Sequence, residues 1–354
     1  MKALILSGGT GTRLRPLTYS NAKQLLPLAN KPILFYIIEK IIKAGIREIG
    51  IIVGDTHEEV KKAVGDGERW GVKIDYIHQP RALGLAHAVK MAGEFLGDND
   101  FVMILGDNVF NMDLHVLINN FYSNQANTTI LLHRVDNPSQ YGVAVVKGGC
   151  ITELVEKPKE YISDLIITGV YVFDKSIFPA IEQTPPSDRG EYEITDAIQK
   201  QLQMGGKVTY ELVRGWWKDT GKLEDMLEAN RLILDELESE YTISDYPGSS
   251  ISGKVVIGEN VVIKDSIIQG PVHIDQDAEI INSCIGPYTS LGKRVKVEKC
   301  ELDNCIVLNG TKLIGINKRI SKSLIGKNVS IIGGINKIPL MSSFFVGDDS
   351  QIKL

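Results

Sequence analysis

An α/β domain with a mainly parallel sheet, followed by a solenoid of short strands, is the architecture the sequence predicts. Strand-like and helix-like patterns alternate through the first two-thirds of the 354 residues. Apolar residues then recur at six-residue steps. The change falls at Tyr246-Pro247-Gly248. These observations divide the chain into residues 1–240, a linker over 241–250, and a repeat domain over 251–354.

In chain order, strands are expected at 3–6, 49–53, 73–77, 101–105, 128–133, 143–147, 166–173 and 208–212. Helices are expected at 33–44, 84–95, 114–122, 194–202 and 223–237. The first places Leu34, Ile37, Ile38 and Ile41 on one face. Such alternation predicts a Rossmann-like sheet covered by helices. Ligands of such sheets lie beyond the carboxyl ends of the strands. The loop at Gly8 and the turn Leu105-Gly106-Asp107-Asn108 fall there.

In the repeat domain, Ile257 pairs with Ile263, Ile274 with Ile280, and Ile325 with Ile331, while Ile285, Leu291 and Val297 form a triplet. Glycine follows the apolar residue at Gly258, Gly286, Gly292 and Gly326. Small or branched residues come four later at Val261, Ala278, Thr289, Val295 and Val329, and Cys284 stands in the same phase. The pattern resembles the hexapeptide repeat of a left-handed parallel β-helix, with three flat faces to a coil and one apolar residue per face. Slips at Pro271, 300–305 and 313–319 read as corners or loops. Cys284 is expected to point inward and pack.

Composition limits the function classes. Hydrophobic content is 43%, charged content 23% and net charge −5, which argues against a general nucleic-acid binder but not against a small anionic substrate. The four cysteines form no Cys-x-x-Cys pair, so buried thiols in a reducing cytoplasm are expected rather than a disulfide framework or zinc site. The six histidines form no His-Glu-x-x-His pattern. The apolar N-terminal run stops at Gly8, too soon for a signal peptide or membrane span, so no membrane partner is expected.

The string Gly8-Gly9-Thr10-Gly11-Thr12-Arg13-Leu14-Arg15-Pro16, then Lys23-Gln24-Leu25-Leu26-Pro27, follows the first strand. Glycines let backbone N–H groups approach an anion, and Arg13 and Lys23 add positive charge. It is not a Walker A loop, because no Gly-Lys-Ser/Thr closes it. It also lacks the third glycine of the dinucleotide fingerprint, and Arg15-Pro16 interrupts the helix that should follow. An ordinary glycine-rich turn would account for three glycines alone. The full string resembles the signature of the sugar-1-phosphate nucleotidylyltransferases, and Gln24 after the lysine sets it nearest their thymidylyl branch.

The resemblance implies a nucleotide site formed by Leu6, Gly8, Gly9, Gly11, Thr12, Arg13, Gln24, Gln79, Gly84 and Asp107. In Gln79-Pro80-Arg81-Ala82-Leu83-Gly84, the glutamine amide could match the N3–H and O4 edge of a pyrimidine, and Gly84 would let backbone approach the base. His87 is given no role. The sugar phosphate would meet Tyr141, Gly142, Glu156, Lys157, Ile167, Thr168 and Trp217. Glu156 would accept from sugar hydroxyls, Lys157 would hold the phosphate, and Trp217 would cover an apolar sugar face. Asp107 and Asp219 read equally as turn caps or as oxygen ligands for a hard cation, and the resemblance carries both over as Mg²⁺ ligands. Arg13, Lys23 and Lys157 are the implied catalytic cations. The implied substrates are dTTP, or alternatively UTP, with glucose 1-phosphate.

Other readings have specific sequence requirements. Acetyl transfer on the β-helix needs a histidine base, and that domain has only His273. A non-catalytic scaffold would be expected to lack the lysines or carboxylates, yet all are present. Exposed solenoid edges suggest a homo-oligomer.

Overall fold

The structure is a computed structural model and describes residues 1–9, 11–238, 246, 248–333 and 344–353. Two compact units emerge: Met1–Thr10 with Ile33–Asp219, and Gly11–Pro32 with Thr220–Leu354. Segment 11–32 and the helix Leu223–Asp235 therefore group with the β-helix, although they precede it in the chain. Most of the linker expected over 241–250 lies outside the described residues.

In the first unit, Lys2–Leu6 lies between Glu48–Val53 and Phe101–Leu105, parallel to both, and Lys73–His78 extends the parallel set. Leu4, Ile5, Ile51 and Met103 are fully buried, as strands covered on both faces require. Leu165–Phe173 joins antiparallel to Phe101–Leu105 and carries the sheet into an arm with Thr128–Arg134, Gly142–Lys147 and Cys150–Glu156. Val208–Leu212 pairs parallel to Thr128–Arg134. Helix Ile33–Lys43 buries Leu34, Ile37, Ile38 and Ile41, the face its spacing predicts. The helix expected over 84–95 is two pieces, Leu85–Met91 and Gly93–Leu96, divided at Ala92. A short pair absent from the sequence expectation, Asn108–Phe110 with antiparallel Trp217–Asp219, sets Asp219 opposite Asn108.

The second unit contains the β-helix. Ile263 pairs with Ile280, and Ile280 with Val297, each step being 17 residues. The buried axis runs Ile268, Ile274, Ile280, Ile285, Leu291, Val297 and Leu302. Its spacing is six, six, then five, so one corner of each of these coils is a residue short. That short corner, not irregular loops alone, breaks the six-residue rhythm into the pairs and triplet seen in sequence. Residues with positive φ stand at successive corners, including Asn260, Asp277 and Arg294, then Asp265, Asn282 and Lys299.

Cys284 departs from expectation. The inward side chain is Ile285, fully buried, while Cys284 is half-exposed and lines an outer groove with Ile267, Lys299 and Arg319. The short corner shifts the phase by one residue there. Cys300 and Cys305 do pack inside, and burial pushes their thiols up to about 11 and about 12. Among the described residues, no helix is long and apolar enough to cross a membrane.

Candidate active site

The carboxyl ends of the parallel strands carry the expected loops of the first unit. Gly8 follows Leu6, Asp107 follows Leu105, and Gln79 follows His78. Gly106 N donates to Leu6 O at 2.8 Å and Gln79 N to Val53 O at 2.9 Å, tying these exits to neighbouring strands. Gly9 is exposed.

Gln79 is buried. Its Nε2 donates to Gly84 O at 3.3 Å and meets His87 Nδ1 at 2.9 Å. An amide nitrogen only donates, so His87 accepts at Nδ1 and carries its proton on Nε2. Gln79 Oε1 then faces Gly8, where an added Cβ would stand 3.3 Å away. His87 thus orients the amide that the sequence assigned to base reading, a role no local motif marks. At Gly84 an added Cβ would meet Tyr192 O at 2.4 Å, and φ is +101°. The glycine is demanded by protein backbone: Tyr192 N donates to Leu83 O, and Ala86 N to Tyr192 O.

Burial, assisted by Lys90, holds the His87 imidazole below its ordinary pKa of 6.5. The neutral acceptor is therefore retained at neutral pH and lost on acidification. The expected result is a nucleotide KM that is flat above the ordinary imidazole range and rises several-fold (roughly threefold or more) as pH falls below it. His87→Gln, which keeps an acceptor and cannot titrate, flattens that rise. Parallel pH profiles of KM check this, because both proteins share the nucleotide's own titration.

The sugar-pocket candidates come together on the antiparallel arm. Gly142 pairs with Glu156, and a Cβ on Gly142 would meet Thr195 Oγ1 at 2.8 Å and Glu156 Oε2 at 3.0 Å. Glu156 Oε2 accepts from Thr195 Oγ1 at 2.7 Å, while Oε1 faces Arg189 Nη2 at 3.3 Å and Lys157 Nζ at 3.4 Å. The carboxylate is thus held by three neighbours, with lone pairs to spare. Arg189 and Thr195 were not anticipated. Burial opposes the Arg189 charge, but hydrogen bonding to Glu193 at 2.6 Å and the nearby carboxylates outweigh it and raise its pKa. Lys157 has φ +43° and its N donates to Tyr141 O at 3.0 Å, so the lysine leaves the strand in a fixed turn.

Thr168 turns its hydroxyl to Leu131 O at 2.8 Å, and its carbonyl accepts from Asn108 Nδ2 at 2.6 Å and Trp217 Nε1 at 3.0 Å. Ile167 is buried beside Gly142. Trp217 is only 6% exposed, between Tyr141 (ring centroids 6.0 Å apart) and His133 (5.9 Å). It acts as a wall that fixes Tyr141 and the Thr168 carbonyl rather than as an open platform. Burial, aided by Lys218, lowers the His133 pKa.

Asp107 precedes Asn108, which pairs with Asp219, so the two carboxylates sit on adjoining strand ends. Two carboxylates are hard oxygen donors of the type Mg²⁺ takes, in the number it takes when phosphates complete its shell. Among the described residues, no group of three or more His, Cys, Asp or Glu is arranged so that it could hold a metal ion.

Gly11, Thr12, Arg13, Lys23 and Gln24 belong to the second unit. Their segment has no α-helix among its described residues, only the 3₁₀ turns Thr12–Leu14, Leu17–Tyr19 and Lys23–Leu25 and a strand pair. Gly11 has φ +62°, and a Cβ there would lie 3.0 Å from Lys23 Cβ and from Thr18 Cγ2. Thr18 Oγ1 donates to Gly11 O at 2.8 Å. Arg13 and Thr12 are exposed, whereas Lys23 and Gln24 are buried, and Gln24 Oε1 accepts no hydrogen bond.

An α/β sheet with such loops at its strand ends is a framework of enzymes that handle phosphorylated nucleotides. Comparison narrows the class: the nucleotidyl transferase family model matches residues 2–236, and the chain belongs to that family. It is a nucleotidyl-transferring enzyme. A Streptomyces antibioticus protein named glucose-1-phosphate thymidylyltransferase is 44% identical over 100% of this chain and 99% of its own length. A Haloferax volcanii protein named low-salt glycan biosynthesis nucleotidyltransferase Agl11 is 44% identical, with both chains fully covered. A Bacillus anthracis crystal structure described as a glucose-1-phosphate thymidylyltransferase in complex with a sucrose matches with TM-score 0.63 and 37% identity. It covers 68% of this chain and 98% of that one.

Proposed function

We propose that this enzyme transfers the thymidylyl group of dTTP to glucose 1-phosphate, giving dTDP-glucose and pyrophosphate. Full-length similarity to the Streptomyces protein supports the substrate pair. The observation that carries the chemistry is Asp219 opposite Asn108, beside Asp107, in the unit that also holds Glu156 and Lys157.

A sugar 1-phosphate is largely dianionic near neutral pH, its second pKa being about 6. It is already a nucleophile, so no general base is required. Its phosphate oxygen attacks the α-phosphorus in line, the new P–O bond forms, and the bond to the β-phosphate oxygen breaks. Pyrophosphate leaves with the electron pair. The obstacle is anion meeting anion, so catalysis is positioning and charge neutralisation. Arg13 stabilises charge on the departing pyrophosphate. Lys23 orients the nucleotide phosphates, and Lys157 holds the sugar phosphate. Gln79 Oε1 accepts from the pyrimidine N3–H, with His87 holding the amide. Asp107 and Asp219 would hold Mg²⁺, which when bound would neutralise phosphate charge. The reading places the enzyme in the cytoplasm as a homo-oligomer.

Steady-state kinetics with dTTP against UTP test it. Gln79 reads an edge that thymine and uracil share, so only the methyl and the 2′-hydroxyl separate them. One methyl in an apolar pocket gives about 10- to 200-fold discrimination. The expected result is dTTP ahead of UTP in kcat/KM within that window. UTP ahead of dTTP would make the enzyme a uridylyltransferase.

A further inference from the structure

We propose that the last coil of the β-helix positions the cationic segment, with Asp348 as the residue that sets it. The proposal rests on the reading that Arg13 and Lys23 meet the nucleotide phosphates. Asp348 Oδ2 accepts from Ser20 Oγ at 2.8 Å and from Asn21 Nδ2 at 2.7 Å. Its Oδ1 accepts from Lys327 N at 2.7 Å, on the preceding coil, and Lys327 Nζ donates to Asn21 Oδ1. One carboxylate and one lysine of the solenoid thus grip both ends of a single amide. Asn21 is 5% exposed and also donates to Leu17 O at 3.1 Å, so its hydrogen-bonding capacity is spent inside the protein.

The grip reaches the cations through a short path. Only buried Ala22 separates Asn21 from Lys23. The Lys23–Leu25 turn is closed by Leu25 N donating to Ala22 O at 2.9 Å. Lys23 Cβ packs on Gly11, whose carbonyl is held by Thr18, and Gly11 opens the turn that carries Arg13. The far end of the segment is fixed as well. Asn30 Nδ2 donates to Leu291 O at 2.9 Å, Ala29 O meets His273 Nδ1 at 2.8 Å, and Ala29 N donates to Asn230 Oδ1 at 2.8 Å. The segment is a strap fastened at two places on the solenoid, and Asp348 fastens the end nearer the cations.

A charged hydrogen-bond acceptor facing several donors is a strong restraint, and misplacement of about 1 Å can cost roughly a hundredfold in rate. Asp348→Ala, Asn21→Ala and the double variant are made in the full chain and assayed for pyrophosphate release. Asp348→Ala is expected to lower kcat about ten- to a hundredfold and raise the nucleotide KM, while the sugar-phosphate KM stays put. The double variant is expected to be little worse than either single one, because both remove the same contact. If Asp348→Ala fails to fold, Asp348→Asn, which keeps one acceptor oxygen, is expected to shift the same constants by less.

Unchanged constants, or additive losses, overturn the proposal. So does a lower rate with both KM values unchanged, which reports only fewer folded molecules. Lys23→Ala is run alongside. Full turnover there would defeat the underlying reading, whereas lost turnover with Asp348→Ala unaffected would defeat only the positioning role.

Discussion

Asp107→Asn is expected to lower kcat by about 10²–10³-fold while the thermal midpoint stays near that of the parent. The substitution keeps shape and removes one negative charge. Asp107 is half-buried in the turn between Phe101–Leu105 and Asn108–Phe110. Asparagine suits such a turn equally well, so the backbone has little reason to move. The loss is of electrostatics at the point where phosphate charge must be offset. Turnover is measured by pyrophosphate release over a magnesium titration, and folding by thermal melting. A variant as active as the parent at every magnesium concentration removes Asp107 from metal binding and leaves it a turn residue.

Arg13→Ala is expected to cost a similar factor, about 10²–10³, in kcat. Arg13 is exposed on the turn Thr12–Leu14, where buried Leu14 supplies the anchor. Truncation therefore takes away a cation without opening a cavity. Charge on the leaving pyrophosphate grows toward the transition state, so the defect should fall on kcat more than on nucleotide KM. Arg13→Lys should recover part of the rate, because it restores charge without the bidentate fork. Equal damage from both substitutions would point to geometry, and no damage from either would free Arg13 from the reaction.

The site was legible where chemistry is written in consecutive residues. Gly8, Gln79 and Asp107 each come just after a strand with a clear apolar signature, so both element and exit could be placed. What brings residues together from afar was not. His87 reads as an unremarkable helix residue until its ring meets Gln79, and Arg189 until it meets Glu156 and Glu193. The strand Cys150–Glu156 was missed because its register shifts between Ile151 and Glu153, which spoils the alternation a half-buried strand would show. The sugar-pocket role of Trp217 came from the family resemblance alone; its hydrogen bond to Thr168 O and its packing between Tyr141 and His133 leave no mark in the local sequence. The repeat domain gave its period but not its exact step, since six-residue counting hides a corner of five. The union of segment 11–32 with the solenoid leaves no local trace, because Asp348 and Asn21 stand at opposite ends of the chain.

The strap's two fastenings also make the solenoid a ruler. Stacked strands repeat at roughly 4.8 Å, so each coil between Leu291 and Asp348 is one graduation. Inserting or deleting a coil there would leave every inward side chain content, yet carry the far mark a full graduation past Ser20 and Asn21. Solenoids usually tolerate changes of length, but here the tally of coils is tied to a stretch of chain that cannot stretch with it.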